Sequence, residues 1–166
     1  MVFIGKPPDI WEHYVKHAEF IDDRGLKNNG TEVYVIISNG FALKYSIIAF
    51  RSDPIGYARF TPGLHYEHNT DVLFIGGGTV IKTYRLSGDQ MIFEKDDGLG
   101  FWGWTKHSNV VIQQAETDIR IFNLSGEQVW EAYVSPPYDL AFFGDRIELK
   151  FDDVVETRDL MTGFKV

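Results

Sequence analysis

Cysteine is missing from all 166 residues, so disulfides, thiolate-bound zinc, iron–sulfur ligation and a cysteine nucleophile are excluded. No apolar run nears the roughly 18 residues that a membrane-spanning helix needs, and Met1 to Lys6 does not read as a signal peptide. Positive charge is scarce as well. With 16 Lys plus Arg against 24 Asp plus Glu the formal charge is -8, whereas a phosphate backbone wants clustered cations. Neither nucleic acid nor a membrane is therefore an expected partner, and the expected compartment is the cytoplasm. Aromatics, by contrast, are plentiful: 13 Phe, 8 Tyr and 4 Trp can fill a core at this length. A single domain over residues 1–166 is expected, with a strand and a helix in 1–30 and β units over 31–166.

Pro7, Pro8 and Asp9 punctuate the start of the chain, with Asp9 suited to cap a helix. Ile10, Tyr14, Ala18 and Ile21 then recur at helical spacing, and Glu12 sits where the helix dipole favours an anion. This pattern predicts one amphipathic helix from Asp9 to Asp22. From Thr31 the period changes. Two β-rich runs, Glu32 to Ser38 and Phe41 to Phe50, flank Asn39-Gly40, a pair whose positive φ values favour a tight hairpin. A further strand is expected from Ile55 to Phe60.

An internal repeat organises the remainder. Thr79 to Gln90 aligns with Thr117 to Gln128 at an offset of 38 residues. Identities fall at Thr79/Thr117, Ile81/Ile119, Leu86/Leu124, Ser87/Ser125, Gly88/Gly126 and Gln90/Gln128. The preceding runs, from Val72 and from Val110, also correspond. A degenerate third copy follows 36 residues on, with Arg146 to Phe151, Val155 to Leu160 and a turn at Met161-Thr162-Gly163. The segment Val33 to Phe60 is a candidate fourth copy. Each unit reads strand, turn, strand, Leu-Ser-Gly-type turn, strand, the glycine supplying a positive φ that a Cβ would obstruct.

Units of 36–38 residues lie near the low end for a propeller blade. The turns Asn123-Leu124-Ser125-Gly126 and Asp159 to Gly163 resemble those of degenerate WD40-like and PQQ-binding-like β-propeller repeats, over about residues 72–166. The Trp-Asp and Gly-His pairs of WD40 blades are absent. The resemblance implies a scaffold whose loops and faces bind partners, and it transfers no catalytic residue. The fold class expected is all-β with one N-terminal helix, built from repeated antiparallel meanders. These would form either a small four-bladed ring, closed by Val2 to Ile4, or an open twisted sheet or barrel.

The candidate chemistry is sparse. His13 and His17 have helical i, i+4 spacing, but Tyr14 stands where a zinc protease needs Glu. His65, Glu67 and His68 form a possible metal cluster that would need a further ligand. Gly76 to Gly78 lies between strands, which fits a hairpin rather than a phosphate loop. Asp96-Asp97 and Asp152-Asp153 read as solvated turn carboxylates. No catalytic set and no cofactor site is expected.

The richest patch is Phe101, Trp102, Trp104 and His107, with Lys106 between the last two. Strict alternation would place both tryptophans on one face and Phe101 on the other. Such a patch can plug a core or present an exposed aromatic platform for recognition. A non-enzymatic protein-binding module is the expected function, with an immunity or inhibitor protein for a basic partner as one form. A small-ligand or carbohydrate binder using the tryptophans is the alternative. A metal-dependent hydrolase on His65, Glu67 and His68 comes third.

Overall fold

Val33 to Ile36 and Ile47 to Phe50 are buried at every position, not at every second one. Successive side chains of a strand point to opposite faces, so both runs must lie inside a sheet covered on both sides. The computed structural model describes residues 1–27, 30–38, 44–52, 61–96 and 100–166. Its chain divides into two compact units, Met1–Gly56 and Tyr57–Val166.

The N-terminal unit holds β1 (Val2–Ile4), α1 (Trp11–Lys16), β2 (Ala18–Gly25), β3 (Thr31–Ser38) and β4 (Tyr45–Ser52). They form one sheet in the order β1-β3-β4-β2, with β2 parallel to β4 and the other pairs antiparallel. The short helix α1 covers one face, where Tyr14 joins Ile36, Tyr45 and Ile47, with Phe3, Trp11 and Ala18 beside them.

Three expectations are corrected here. The helix is far shorter than Asp9 to Asp22: it begins after Ile10, has no side-chain cap, and ends at Lys16. From Ala18 the chain becomes a strand, because its period-2 pattern turns Ala18, Phe20 and Asp22 inward while Ile21 stays exposed. Asp22 is tolerated inside because Arg24 grips it with two bonds of 2.8 Å. Val2–Ile4 pairs with β3 within this unit and so closes no ring through the final repeat. The sheet order, with its parallel pair, is also not that of a fourth meander copy. The β3–β4 hairpin pairing is present, running from Thr31↔Ser52 to Ser38↔Tyr45. The Asn39-Gly40 turn and the strand expected at Ile55 to Phe60 lie outside the described residues.

The C-terminal unit realises the repeat. Its first sheet is β5 (Gly63–Glu67), β6 (Val72–Gly77), β7 (Val80–Arg85) and β8 (Gln90–Asp96). The second is β9 (Phe101–His107), β10 (Val110–Ala115), β11 (Asp118–Asn123) and β12 (Gln128–Tyr133). The third is β13 (Tyr138–Phe143), β14 (Arg146–Phe151) and β15 (Val154–Asp159). All three are antiparallel meanders with open edges. Phe164 to Val166 fold back on β15, as Asp159 N–H donates to Phe164 O at 2.9 Å and Val166 N–H to Thr157 O at 3.0 Å. A fourth strand thus starts where the other sheets have theirs. The matching turn glycines Gly88, Gly126 and Gly163 all have positive φ, at 113°, 88° and 72°.

Sheet faces stack in sequence. Val72, Phe74 and Ile81 of the first sheet pack with Phe101, Val111 and Phe122 of the second. The opposite face of the second sheet, Val110, Ile112, Ile119 and Ile121, packs with Ile147, Leu149 and Leu160 of the third. Positions Arg146, Glu148, Val155 and Thr157 of the third sheet correspond by repeat to Val110, Ile112, Ile119 and Ile121. Two of these four apolar positions have become charged (Arg146, Glu148), and Val155 is 57% exposed where Ile119 is 0%. This outer face is solvated. Accordingly, Ile119→Lys should unfold the unit at ambient temperature, as an unpaired buried charge costs several kcal/mol. Val155→Lys should change stability by less than about 0.5 kcal/mol. Denaturant melts of the two variants check this, and equal losses would contradict the stacking order.

Candidate binding surface

β5, β9 and β13 are the first strands of their sheets, so each offers one edge without a ladder partner in its own sheet. The aromatic run lies on β9, and a bulge decides how its side chains are dealt out. Phe101 pairs with Ala115 and Gly103 with Gln114, so Trp102 stands opposite no residue of β10. One extra residue reverses the alternation on either side of it. Phe101 and Trp104 therefore share a face, with ring centroids 5.5 Å apart, and both pack beside Phe74 and Phe122. Trp102 points the other way. This corrects the expectation that the two tryptophans lie together.

Phe101 is fully buried, and its ring occupies the space where a Cβ on Gly76 would stand, 2.2 Å from the nearest ring carbon. That close approach explains a glycine within β6. Gly78, with φ 60°, makes the turn to β7, so Gly76 to Gly78 are strand and turn as expected. Trp104 is half-buried and donates from Nε1 to Gly63 O at 3.3 Å.

Trp102 stacks on Tyr138 of β13, with centroids 5.1 Å apart and planes 9° from parallel, yet remains 44% exposed. Tyr138 is itself fixed, since its hydroxyl donates to Ala115 O at 2.7 Å. Burial raises its phenol pKa well above the usual value, and the Asp118 carboxylate nearby adds to the rise. His107, at the other end of β9, stacks on Phe142 at 4.5 Å and contacts Gly144 O through Nε2 at 3.0 Å. The seam between β9 and β13 is thus an aromatic ladder. Tyr138 and Phe142 were invisible as partners in the sequence, because only sheet stacking brings β13 against β9.

The two ends of the stacked sheets differ. The Trp102 end carries the turns at Gly78-Thr79, Glu116-Thr117 and Asp152-Asp153, together with Asp96, Asp118 and Asp139. Asp96 accepts a bond from Thr79 at 2.6 Å. Two cations near this end are already engaged: Lys95 bonds Glu131 at 2.9 Å and Arg120 meets Asp118 at 3.0 Å. Tyr133 also lies here, 71% exposed.

The metal candidates separate. His65 and Glu67 share a face of β5, 4.0 Å apart, whereas His68 meets Tyr66 edge-on, with ring centroids 4.5 Å apart. The ammonium of Lys106 binds the buried Glu67 carboxylate and supplies the positive charge a metal would bring. Lys106 holds the Glu67 pKa below its usual range, while burial lowers that of His65. His13 and His17 have rings 4.5 Å apart, and His17 Nδ1 is engaged with His13 O at 2.8 Å. Among the described residues no three His, Asp or Glu converge on a metal position, and no described helix is long and apolar enough to cross a membrane.

The Glu67–Lys106 pair has a pH signature. A carboxyl whose folded pKa is depressed stabilises the fold above its unfolded pKa and loses that contribution as pH falls through the folded value. Lys106→Met should therefore lower stability near neutral pH, by on the order of 1 kcal/mol because Lys106 is partly exposed. The gap to the parent should narrow as pH falls out of the ordinary glutamate range toward the depressed Glu67 value, where the carboxylate is lost. Thermal melts from pH 3 to pH 7 check this, and a gap independent of pH would refute it.

No family model matches this chain and no curated protein matches it. Among solved structures it is similar to the BamB protein of Moraxella catarrhalis, a β-propeller, at 16% identity and a TM-score of 0.45, covering 81% of this chain and 46% of that one. Kluyveromyces lactis Hsv2 gives 10% identity and a TM-score of 0.36, over 63% of this chain and 34% of its own. The computationally designed Ika8 protein gives 15% and 0.43, over 86% and 43%. The chain spans less than half the length of each. Its likeness is to β-propeller structures, at low identity.

Proposed function

We propose that this chain is a non-enzymatic protein-binding module that captures a basic protein, in the manner of an immunity or inhibitor protein. The observation that carries this reading is the Trp102 end of the C-terminal unit. There a ring stacked on Tyr138 stays 44% exposed at the end of the second and third sheets that carries Glu116, Asp118, Asp139, Asp152 and Asp153. Rigid, partly exposed aromatics make good interface anchors because little side-chain entropy is lost on binding. Surrounding carboxylates speed encounter with a cationic surface and discourage acidic competitors. The net charge of -8 acts in the same direction over longer range.

A carbohydrate reading draws on the same exposed indole, since a sugar ring can lie on an aromatic face and its hydroxyls can donate to carboxylates. Tryptophan emission titrated against a neutral glycan panel tests it, and no response to any sugar removes it.

For the principal reading, a panel of basic proteins is titrated at rising ionic strength. Association should be measurable at low salt and weaken steeply between about 0.05 and 0.5 M, as the screening length shrinks. Association that ignores salt, or none with any basic protein at low salt, counts against charge-driven capture.

A further inference from the structure

We propose that the free face of Trp102 is the seat for an arginine side chain of the basic partner, stacked on the indole in a cation–π contact. This rests on the protein-binding reading above and narrows it to one contact. An indole can hold a cation only if a face is open and the ring does not swing away. Both conditions are met: one face lies parallel on Tyr138 at 9°, and the residue is still 44% exposed. Tyr138 cannot readily follow the partner, because its hydroxyl is tied to Ala115 O. The bulge at Trp102 is the reason this ring leaves the core that holds Phe101 and Trp104.

Charge selects the ligand. Glu116 donates its backbone N–H to Gly100 O at 3.0 Å, which sets it beside the start of β9, and Asp118 acts on the Tyr138 phenol. An incoming cation thus meets a negative potential around an apolar plane. Lys95 and Arg120 near this end are paired with Glu131 and Asp118, so the excess negative charge comes from Glu116, Asp152 and Asp153 at the same end. Arginine fits better than lysine, because a planar, weakly hydrated guanidinium can lie flat on the ring while its edge donates to carboxylates.

Octa-arginine and octa-lysine peptides serve as probes, titrated at low salt against the parent protein, Trp102→Ala and Trp102→Phe. The parent should bind octa-arginine more tightly than octa-lysine. Trp102→Ala should lose about three- to tenfold in octa-arginine affinity while octa-lysine changes little, and Trp102→Phe should fall between. The phenylalanine variant keeps a ring, so it guards against a folding defect, which thermal melts would also reveal. Salt-sensitive binding of both peptides that is unchanged in Trp102→Ala overturns the arginine seat and leaves basic-partner capture standing. Failure of the parent to bind either peptide overturns both. Quenching of Trp102 by neutral glycans, with no preference between the peptides, overturns the seat in favour of a sugar.

Discussion

Face-to-face burial of small meander sheets is the constraint on which the C-terminal unit depends. A lone sheet of three or four strands hides too little apolar surface, whereas each stacked pair buries both inner faces. The repeat spacing puts Val72, Phe74 and Ile81 under the second sheet, and the matching Val110, Ile112 and Ile119 under the third. Everything of functional interest hangs from that stacking, because it sets strands β9 and β13 close enough for Trp102 to lie on Tyr138. The polar pair Arg146 and Glu148 then marks a face the stack does not use.

Polar groups inside the stack are held by partners from a different strand or sheet. Arg120, nearly fully buried, reaches Gln113, Asp118 and Glu131, and Lys95 of the first sheet reaches the same Glu131. Thr83 donates to Gly126 O at 2.7 Å across the first interface, and Trp130 donates to Leu160 O at 3.0 Å across the second. These bonds add direction to an attraction that otherwise has none. They help fix which turn of one sheet faces which turn of the next.

Much of this was legible in the residues, and what was not has identifiable causes. The Leu-Ser-Gly turns at Gly88 and Gly126 announced the repeat because a positive φ restricts the choice of residue. The long helix failed because Ile10, Tyr14, Ala18 and Ile21 satisfy a 3.6-residue period while Ala18, Phe20 and Asp22 satisfy a period of two. A charged Asp22 looks solvated until Arg24 is seen to neutralise it. Pairing with β4 then decided in favour of strand. In the binding surface, the aromatic run was plain, but the bulge that parts Trp102 from Trp104 leaves no composition signal. Tyr138 sits 36 residues further along and meets Trp102 only through tertiary packing.

The Phe101 ring seated over Gly76 has a mechanical consequence. A ring lodged where one residue lacks a side chain works as a detent. Displacing the second sheet along β6 by one two-residue step would drive that ring against Phe74, or against the turn beyond Gly78. The two sheets are thereby indexed to a single lateral setting, and the position of Trp102, next in the chain to the lodged ring, is inherited from it.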